Sequence, residues 1–301
     1  MKILLLGKNG QVGWELQRAL APLGEVIALD RAGADGLCGD LADLEGLAST
    51  VRKLAPDVIV NAAAYTAVDK AETEPAQALR INGEAPALLA REAEALGAWL
   101  VHYSTDYVFD GSGEHRWETD APTGPLSSYG RSKLAGEDAI RASGAKALIL
   151  RTSWVYAARG HNFAKTMLRL ATERDSLNVV ADQFGAPTGA ELIADVTALL
   201  LSRVSAARDW ATLVGTYHLA AAGETSWYGF ARYVLQHAEL NGTVLKVSPA
   251  QLGAISTEAY PLPAPRPRNS RLDLRKIEHA FQLTMPSWEQ GVQRMLDEVQ
   301  R

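Results

Sequence analysis

The chain has 301 residues, 47% hydrophobic and 22% charged, an ordinary globular composition that excludes a disordered polymer and allows about two domains. Its net charge of −5 excludes a generally basic nucleic-acid surface. The single cysteine, Cys38, excludes an internal disulfide or a thiolate metal cluster, so a reducing, cytosolic setting is expected.

The opening apolar run, Ile3–Leu6, is too short for a signal-peptide core, and no run reaches the length of a membrane span. No membrane partner is expected. Short apolar runs at Ile3–Leu6, Glu25–Leu29, Val58–Asn61, Trp99–Tyr103 and Ala147–Arg151 predict strands. They are near-continuous rather than alternating, which is what a parallel sheet covered on both faces requires. Helical patterns lie between them at Val12–Leu23, Leu44–Leu54, Glu74–Leu96 and Ser128–Arg141. The order predicts an α/β fold with a doubly wound parallel sheet.

Beyond residue 151 the texture changes to helices (Phe163–Ala171, Glu191–Val204) and isolated extended pieces such as Tyr217–Ala220. Four prolines between Pro261 and Pro267 predict an extended loop. The expected layout is a nucleotide-binding domain, residues 1–152 with about 190–222. A smaller mixed α/β substrate domain would take about 153–189 with 223–301.

The first strand runs into Gly7-Lys-Asn-Gly10-Gln-Val-Gly13 and then an apolar-periodic helix. Gly7 permits the tight turn, Gly10 a close approach of backbone to a pyrophosphate, and Gly13 close helix–strand packing. The phosphates would sit on the helix N-terminus. A second glycine triplet, Gly33, Gly36 and Gly39, neither follows a strand nor opens a helix and reads as loop. Asp30 closes the second strand, about twenty residues on, where a carboxylate accepts from the adenosine ribose. Arg31 beside it tolerates a 2′-phosphate, so the cofactor is NADH or NADPH, with NADH favoured. Asp40-Leu41 would bracket the adenine. The small residues Ala62-Ala63-Ala64 would let the dinucleotide lie close to the sheet edge.

Tyr129-Gly-Arg-Ser-Lys133 places a phenol and an ammonium one helical turn apart. The lysine is expected to lower the phenol's pKa toward working pH and to hold the nicotinamide ribose. Ser104 and Thr105 end the fourth strand, where sheets of this type carry their chemistry. His102 reads as buried packing, and no two histidines have metal-ligand spacing.

These motifs together resemble the extended short-chain dehydrogenase/reductase superfamily. Within it the whole chain resembles the dTDP-4-dehydrorhamnose reductase family. The resemblance is carried by Gly7–Gly13, Asn61-Ala-Ala-Ala-Tyr-Thr-Ala-Val-Asp69, His102-Tyr-Ser-Thr-Asp-Tyr-Val-Phe-Asp-Gly111, Arg151-Thr-Ser-Trp-Val-Tyr156, Asp182-Gln-Phe-Gly-Ala-Pro-Thr188 and Arg266–Leu272. It implies the last step of dTDP-L-rhamnose synthesis, with hydride delivered to the 4-keto carbon of dTDP-4-dehydro-L-rhamnose and the proton supplied by Tyr129. The catalytic set implied is Tyr129, Lys133 and Thr105. Cofactor contacts would come from Gly7, Gly10, Gln11, Val12, Gly13, Asp30, Asp40, Leu41, Ala64, Tyr65, Thr66, Tyr129 and Lys133. Thr105, Asp106 and Trp154 would contact the dTDP-sugar. The resemblance further implies Mg2+ at a homodimer contact, with Glu15, Glu191 and Glu298 as candidate ligands. Tyr65 departs from the family pattern, where histidine is common.

Related dehydratases place an Asp-Glu pair after the active-site Thr; here Thr105 is followed by Asp106 and Tyr107, which favours a reductase. Two alternatives remain: a related sugar-nucleotide reductase or epimerase, and a non-catalytic NAD(P)-binding regulatory subunit.

Overall fold

The computed structural model describes residues 1–207 and 209–300. The elements begin with β1 (Lys2–Leu6), α1 (Gln11–Leu20), β2 (Glu25–Leu29), α2 (Leu44–Leu54), β3 (Val58–Asn61), α3 (Val68–Ala71) and α4 (Pro75–Leu79). A π turn (Arg80–Glu84), α5 (Ala85–Leu96), β4 (Trp99–Thr105), α6 (Ser128–Ser143), β5 (Lys146–Thr152) and β6 (Val155–Tyr156) follow. Next come α7 (Phe163–Glu173), β7 (Asn178–Val180), β8 (Phe184–Gly185), β9 (Thr188–Gly189) and α8 (Ala190–Ala206). The last are β10 (Gly215–His218), β11 (Thr225–Ser226), α9 (Trp227–Leu240), β12 (Gly253–Ile255), α10 (Arg275–Phe281) and α11 (Trp288–Val299).

Six strands form one parallel sheet in the order β10-β5-β4-β3-β1-β2. Because side chains alternate along a strand, Ile3, Leu5, Val58 and Val60 enter the core shared with α1 and α8. Leu4, Leu6 and Ile59 enter the core shared with α2 and α5. Both faces are therefore dry, as the unbroken apolar runs require. The chain winds outward from β1 to β2, then returns to the other side of β1 as β3. The switch point between β1 and β3 opens a crevice at the carboxyl edge. Register aligns that edge: Leu6 pairs with Leu29 and Asn61, Asn61 with His102, and Thr105 with Thr152. Gly7, Asp30, Ala62, Asp106 and Ser153-Trp154 all emerge there.

The later part of the chain has its own apolar clusters, joining α7, α9 and α11 around Phe230, Val234, Trp288 and Leu296. The division by sequence places everything after 223 in this part. Leu272, Leu274, Ile277, Phe281 and Met285, however, bury themselves in the sheet-side core. The helix predicted over Glu74–Leu96 runs from Pro75 to Leu96, widened by a π turn at Arg80–Glu84. Pro86 has no N–H to give to the carbonyl of residue 82, and the turn widens, with Ala85 N–H bonding Arg80 O instead. No helix among the described residues is long and apolar enough to cross a membrane.

Candidate active site

The glycine turn is shaped by close backbone contact. Gly7 has φ +89°, and a Cβ there would lie 2.8 Å from Ala63 N. A Cβ on Gly13 would collide with Gly7 O. At Gly10 the nearest obstacle is Gly7 O at 3.4 Å, and α1 has no side-chain cap. Its free N–H groups thus face the crevice, a fit for a pyrophosphate. Gln11 Oε1 accepts from Asn162 Nδ2 at 3.3 Å, and Val12 packs against the sheet core.

Asp30 ends β2 as expected. Its carboxylate already accepts from Asn9 Nδ2 (2.8 Å) and Ala32 N (3.0 Å), with Lys8 Nζ at 3.8 Å. Arg31 Nε lies 3.4 Å from Asp40. Two carboxylates, Asp30 and Asp40, and two cations, Lys8 and Arg31, thus gather at the end of β2. Leu41 does not present its side chain to an adenine: it is 4% exposed and packs with Leu29 and Leu47. Ala64 and Thr66 are exposed after β3. The Tyr65 hydroxyl donates to Glu74 (2.8 Å), while its backbone N–H donates to Asn82 Oδ1 (2.9 Å). Asn82 Nδ2 donates to Tyr65 O and Ser132 Oγ, both at 3.0 Å, tying this loop to α6. Nothing in a single sequence singles out Asn82; the widened turn that carries it, buried, against Tyr65 and Ser132 is visible only in the fold.

α6 is held at its start by Ser127, which accepts from Gly130 N–H, and by Glu72, which accepts from Ser128 N–H (2.7 Å) and Oγ (3.0 Å). This fixes Tyr129 against Tyr107, edge to face at 5.6 Å, and against Thr105. Burial pushes the Tyr129 phenol up to about 12, the charge of Asp106 adds to this, and the Thr105 hydrogen bond opposes it. The expected depression by Lys133 is not what the structure has. Lys133 Nζ donates instead to Tyr103 O (2.6 Å) and lies 3.3 Å from His102 Nε2. A backbone carbonyl has captured the ammonium, and burial lowers its pKa to about 8.

His102 is buried as expected, yet it belongs to a polar chain. Its Nδ1 is 3.2 Å from Asn61 Nδ2, and Asn61 Oδ1 accepts from Ala63 N–H. Burial, then the Lys133 charge, holds the ring well below the usual histidine range, so it is neutral at pH 7. The one polar residue ending the apolar run Val58–Asn61 was a readable signal for Asn61.

Asp106 begins a short turn after β4. It accepts from Thr105 Oγ1 at 2.9 Å, and its Oδ2 has no partner although the residue is 2% exposed. Burial raises its carboxyl to about 6, against the pull of Ser270 and Thr105. Tyr107 stands where a dehydratase needs a second acid; burial and Asp106 push its phenol up, so it cannot serve as a base. Trp154 follows β5 with φ +50° and stacks on Trp227.

Glu15, Glu191 and Glu298 line one cavity between α1, α8 and α11. Glu15 lies 3.4 Å from Arg18 and Glu191 3.5 Å from Arg294. Among the described residues no three metal-binding side chains converge closely enough to hold an ion. Burial and the charges of Glu15 and Glu298 raise the Glu191 carboxyl against the pull of Arg294, so the three carboxylates gather at one cavity without closing on the expected Mg2+ ion within one chain.

A doubly wound sheet with a capless glycine turn at its switch point, facing a tyrosine–lysine helix, defines an NAD(P)-binding oxidoreductase of the extended short-chain dehydrogenase/reductase class. The chain belongs to the family described as the RmlD substrate binding domain, whose sequence model matches residues 1–301, and which includes dTDP-4-dehydrorhamnose reductases. It is 55% identical over 300 residues to the dTDP-4-dehydrorhamnose reductase of Escherichia coli, covering 99% of this chain and 98% of that one. It is 47% identical to that of Burkholderia thailandensis over 97% of both. Among solved structures, a dTDP-4-dehydrorhamnose reductase from Clostridium acetobutylicum superposes with a TM-score of 0.89 at 34% identity, covering 100% of both chains. One from Bacillus anthracis in complex with NADP gives 0.86 at 34% identity, covering 99% of both.

Proposed function

We propose that this chain reduces the 4-keto group of dTDP-4-dehydro-β-L-rhamnose to give dTDP-L-rhamnose, the last step of dTDP-rhamnose synthesis. The reading is carried by one observation: the Tyr129 phenol, one helical turn from Lys133, stands beside Thr105 at the carboxyl edge of the sheet. NADH or NADPH supplies the hydride. The raised value makes the phenol a weaker acid but keeps it protonated at neutral pH, so its proton is in place when the carbonyl oxygen gains negative charge. Thr105 orients that phenol, and Asp106 holds the Thr105 hydroxyl.

In the same reading the turn Gly7, Gly10, Gln11, Val12 and Gly13 holds the pyrophosphate, and Asp30 the adenosine ribose. Asp40, the Leu41 backbone and Ala64-Tyr65-Thr66 line the rest of the cofactor, and Lys133 holds the nicotinamide ribose. Thr105, Asp106 and Trp154 face the sugar, an indole offering an apolar wall with one donor. Residues 1–152 with 190–222 carry the cofactor, and 153–189 with 223–301 most of the sugar nucleotide.

The test is Tyr129→Phe, followed by NADH consumption with the 4-keto sugar nucleotide. Loss of a general acid lowers turnover by about 10²–10⁴, with NADH affinity retained. A variant keeping more than about a third of wild-type turnover would remove Tyr129 from this role.

A further inference from the structure

The motif Asp182–Thr188 takes no part in the chemistry above, and Trp227 was singled out by nothing in the sequence. Both meet at Trp154. This tryptophan sits in the left-handed backbone region, φ +50°, where a bulky residue persists only if its surroundings hold it. Three contacts do so. Its carbonyl accepts from Thr188 N–H at 3.2 Å, which starts the β6–β9 pairing. Its ring lies on the Trp227 indole, with centroids 3.7 Å apart and planes 15° from parallel. Gly185 leaves a notch for its edge: a Cβ there would come within 2.8 Å of Cε2, 3.0 Å of Cζ2 and 3.1 Å of Nε1.

The notch is braced in turn. β8 pairs antiparallel with β11, Thr225 opposite Gly185, and β11 runs directly into Trp227 at the start of α9. Ser226 caps that helix by accepting from Gly229 N–H at 3.0 Å. Trp227 packs into both apolar clusters of the later part of the chain, touching Phe163 with ring centroids 4.6 Å apart. The strained backbone therefore aims an indole whose back is fixed to the core of the substrate side.

We propose that Trp227 and Gly185 are positioning residues for the Trp154 indole, and that they set the affinity for the hexose ring without touching it. The proposal rests on the reading that Trp154 faces the sugar. Two indoles lying face on face at this distance make many close dispersion contacts, and a ring free to turn would lose its contact with the sugar face.

The experiment measures KM for the 4-keto sugar nucleotide, kcat, NADH affinity and far-ultraviolet circular dichroism for Trp154→Ala, Trp227→Leu, Trp227→Phe and Gly185→Ala. Trp227→Leu stays apolar but removes the stack and much of the volume, whereas Trp227→Phe loses volume and keeps an aromatic face. Trp227→Leu should lose the dichroism couplet of two stacked indoles and raise KM by about tenfold, a shift of about 1.4 kcal/mol. Its kcat should change less than about threefold, with NADH affinity unchanged. Gly185→Ala should raise KM similarly, and Trp227→Phe should restore most of the affinity. A raised KM in Trp154→Ala with an unchanged KM in Trp227→Leu would overturn the positioning role alone. An unchanged KM in Trp154→Ala would overturn the sugar-facing reading and the proposal with it. Equal loss of affinity in Trp227→Phe and Trp227→Leu would show that bulk, not stacking, is what matters, and would also overturn it.

Discussion

Asp106 is a carboxyl group held at a cost, and Asp106→Asn should make the protein more stable and less active. Burial moves its pKa from 3.8 to about 6, and one of its oxygens has no hydrogen-bond partner. A shift of roughly two units corresponds to about 3 kcal/mol between protonation states. The folded chain holds this proton to higher pH than the unfolded chain does. Stability is therefore greatest at low pH, falls as pH rises from about 4 to about 6, and stays lower above that. Asparagine keeps an acceptor for Thr105 and carries no charge. The stability gain of the variant over wild type should grow from near zero at pH 4 to about 1–3 kcal/mol at pH 7.5, the lower figure allowing for an imperfectly partnered amide. The assay is urea unfolding followed by tryptophan fluorescence across that range, wild type against variant. Turnover gives a second readout. Without the Asp106 charge the Tyr129 phenol loses one of the two effects that raise it, so the alkaline limb of the rate profile should move to lower pH. A stability difference that does not vary with pH would refute the reasoning.

Lys133 titrates near 8 in its buried setting, so wild-type NADH affinity should weaken as pH rises through that value. Lys133→Met should bind more weakly at pH 7 with no such inflection, as read by cofactor fluorescence titration. Asp30→Ala should lower NADH affinity by about 1.5–3 kcal/mol through loss of a charged acceptor. NADPH should lose less, because Lys8 and Arg31 stay beside the 2′ position; equal losses would place Asp30 away from the ribose. Glu137 and Arg151 form a buried pair at 2.6 Å. Burial alone would push the Glu137 carboxyl up, but Arg151, together with Ser104 and Arg141, more than offsets it. Glu137→Gln leaves the guanidinium buried with a neutral partner and should destabilise the fold by about 3–5 kcal/mol, measured by denaturant unfolding; a loss below about 1 kcal/mol would contradict the pairing.

Five of the six strands were legible in the sequence because each carries an apolar run; β10, Gly215-Thr-Tyr-His218, carries none, and only its pairing with β5 brings it into the sheet. Val58–Asn61 and Leu44–Leu54 are bounded in the structure as their patterns predict. The glycine turn was legible because three backbone approaches demand glycine at fixed spacing. The tyrosine–lysine pair was legible because one helical turn sets its geometry locally. What only the tertiary structure decided is which partner each group takes. Lys133 looks one turn back to Tyr129 in the sequence, but the end of β4 presents the Tyr103 carbonyl and the His102 ring at closer range. Leu41 looks like a loop residue near the adenine, but the sheet-side core takes its side chain. The helix over residues 74–96 widens to a π turn at Asn82, whose amide joins two segments 17 and 50 residues away. Trp154 and Trp227 are 73 positions apart and meet only because β8 and β11 pair. Local pattern determines where backbone hydrogen bonds and apolar faces go, since those repeat along the chain. The pKa of a buried acid or the aim of an indole depends on desolvation and contacts between distant segments, and these exist only once the chain has folded.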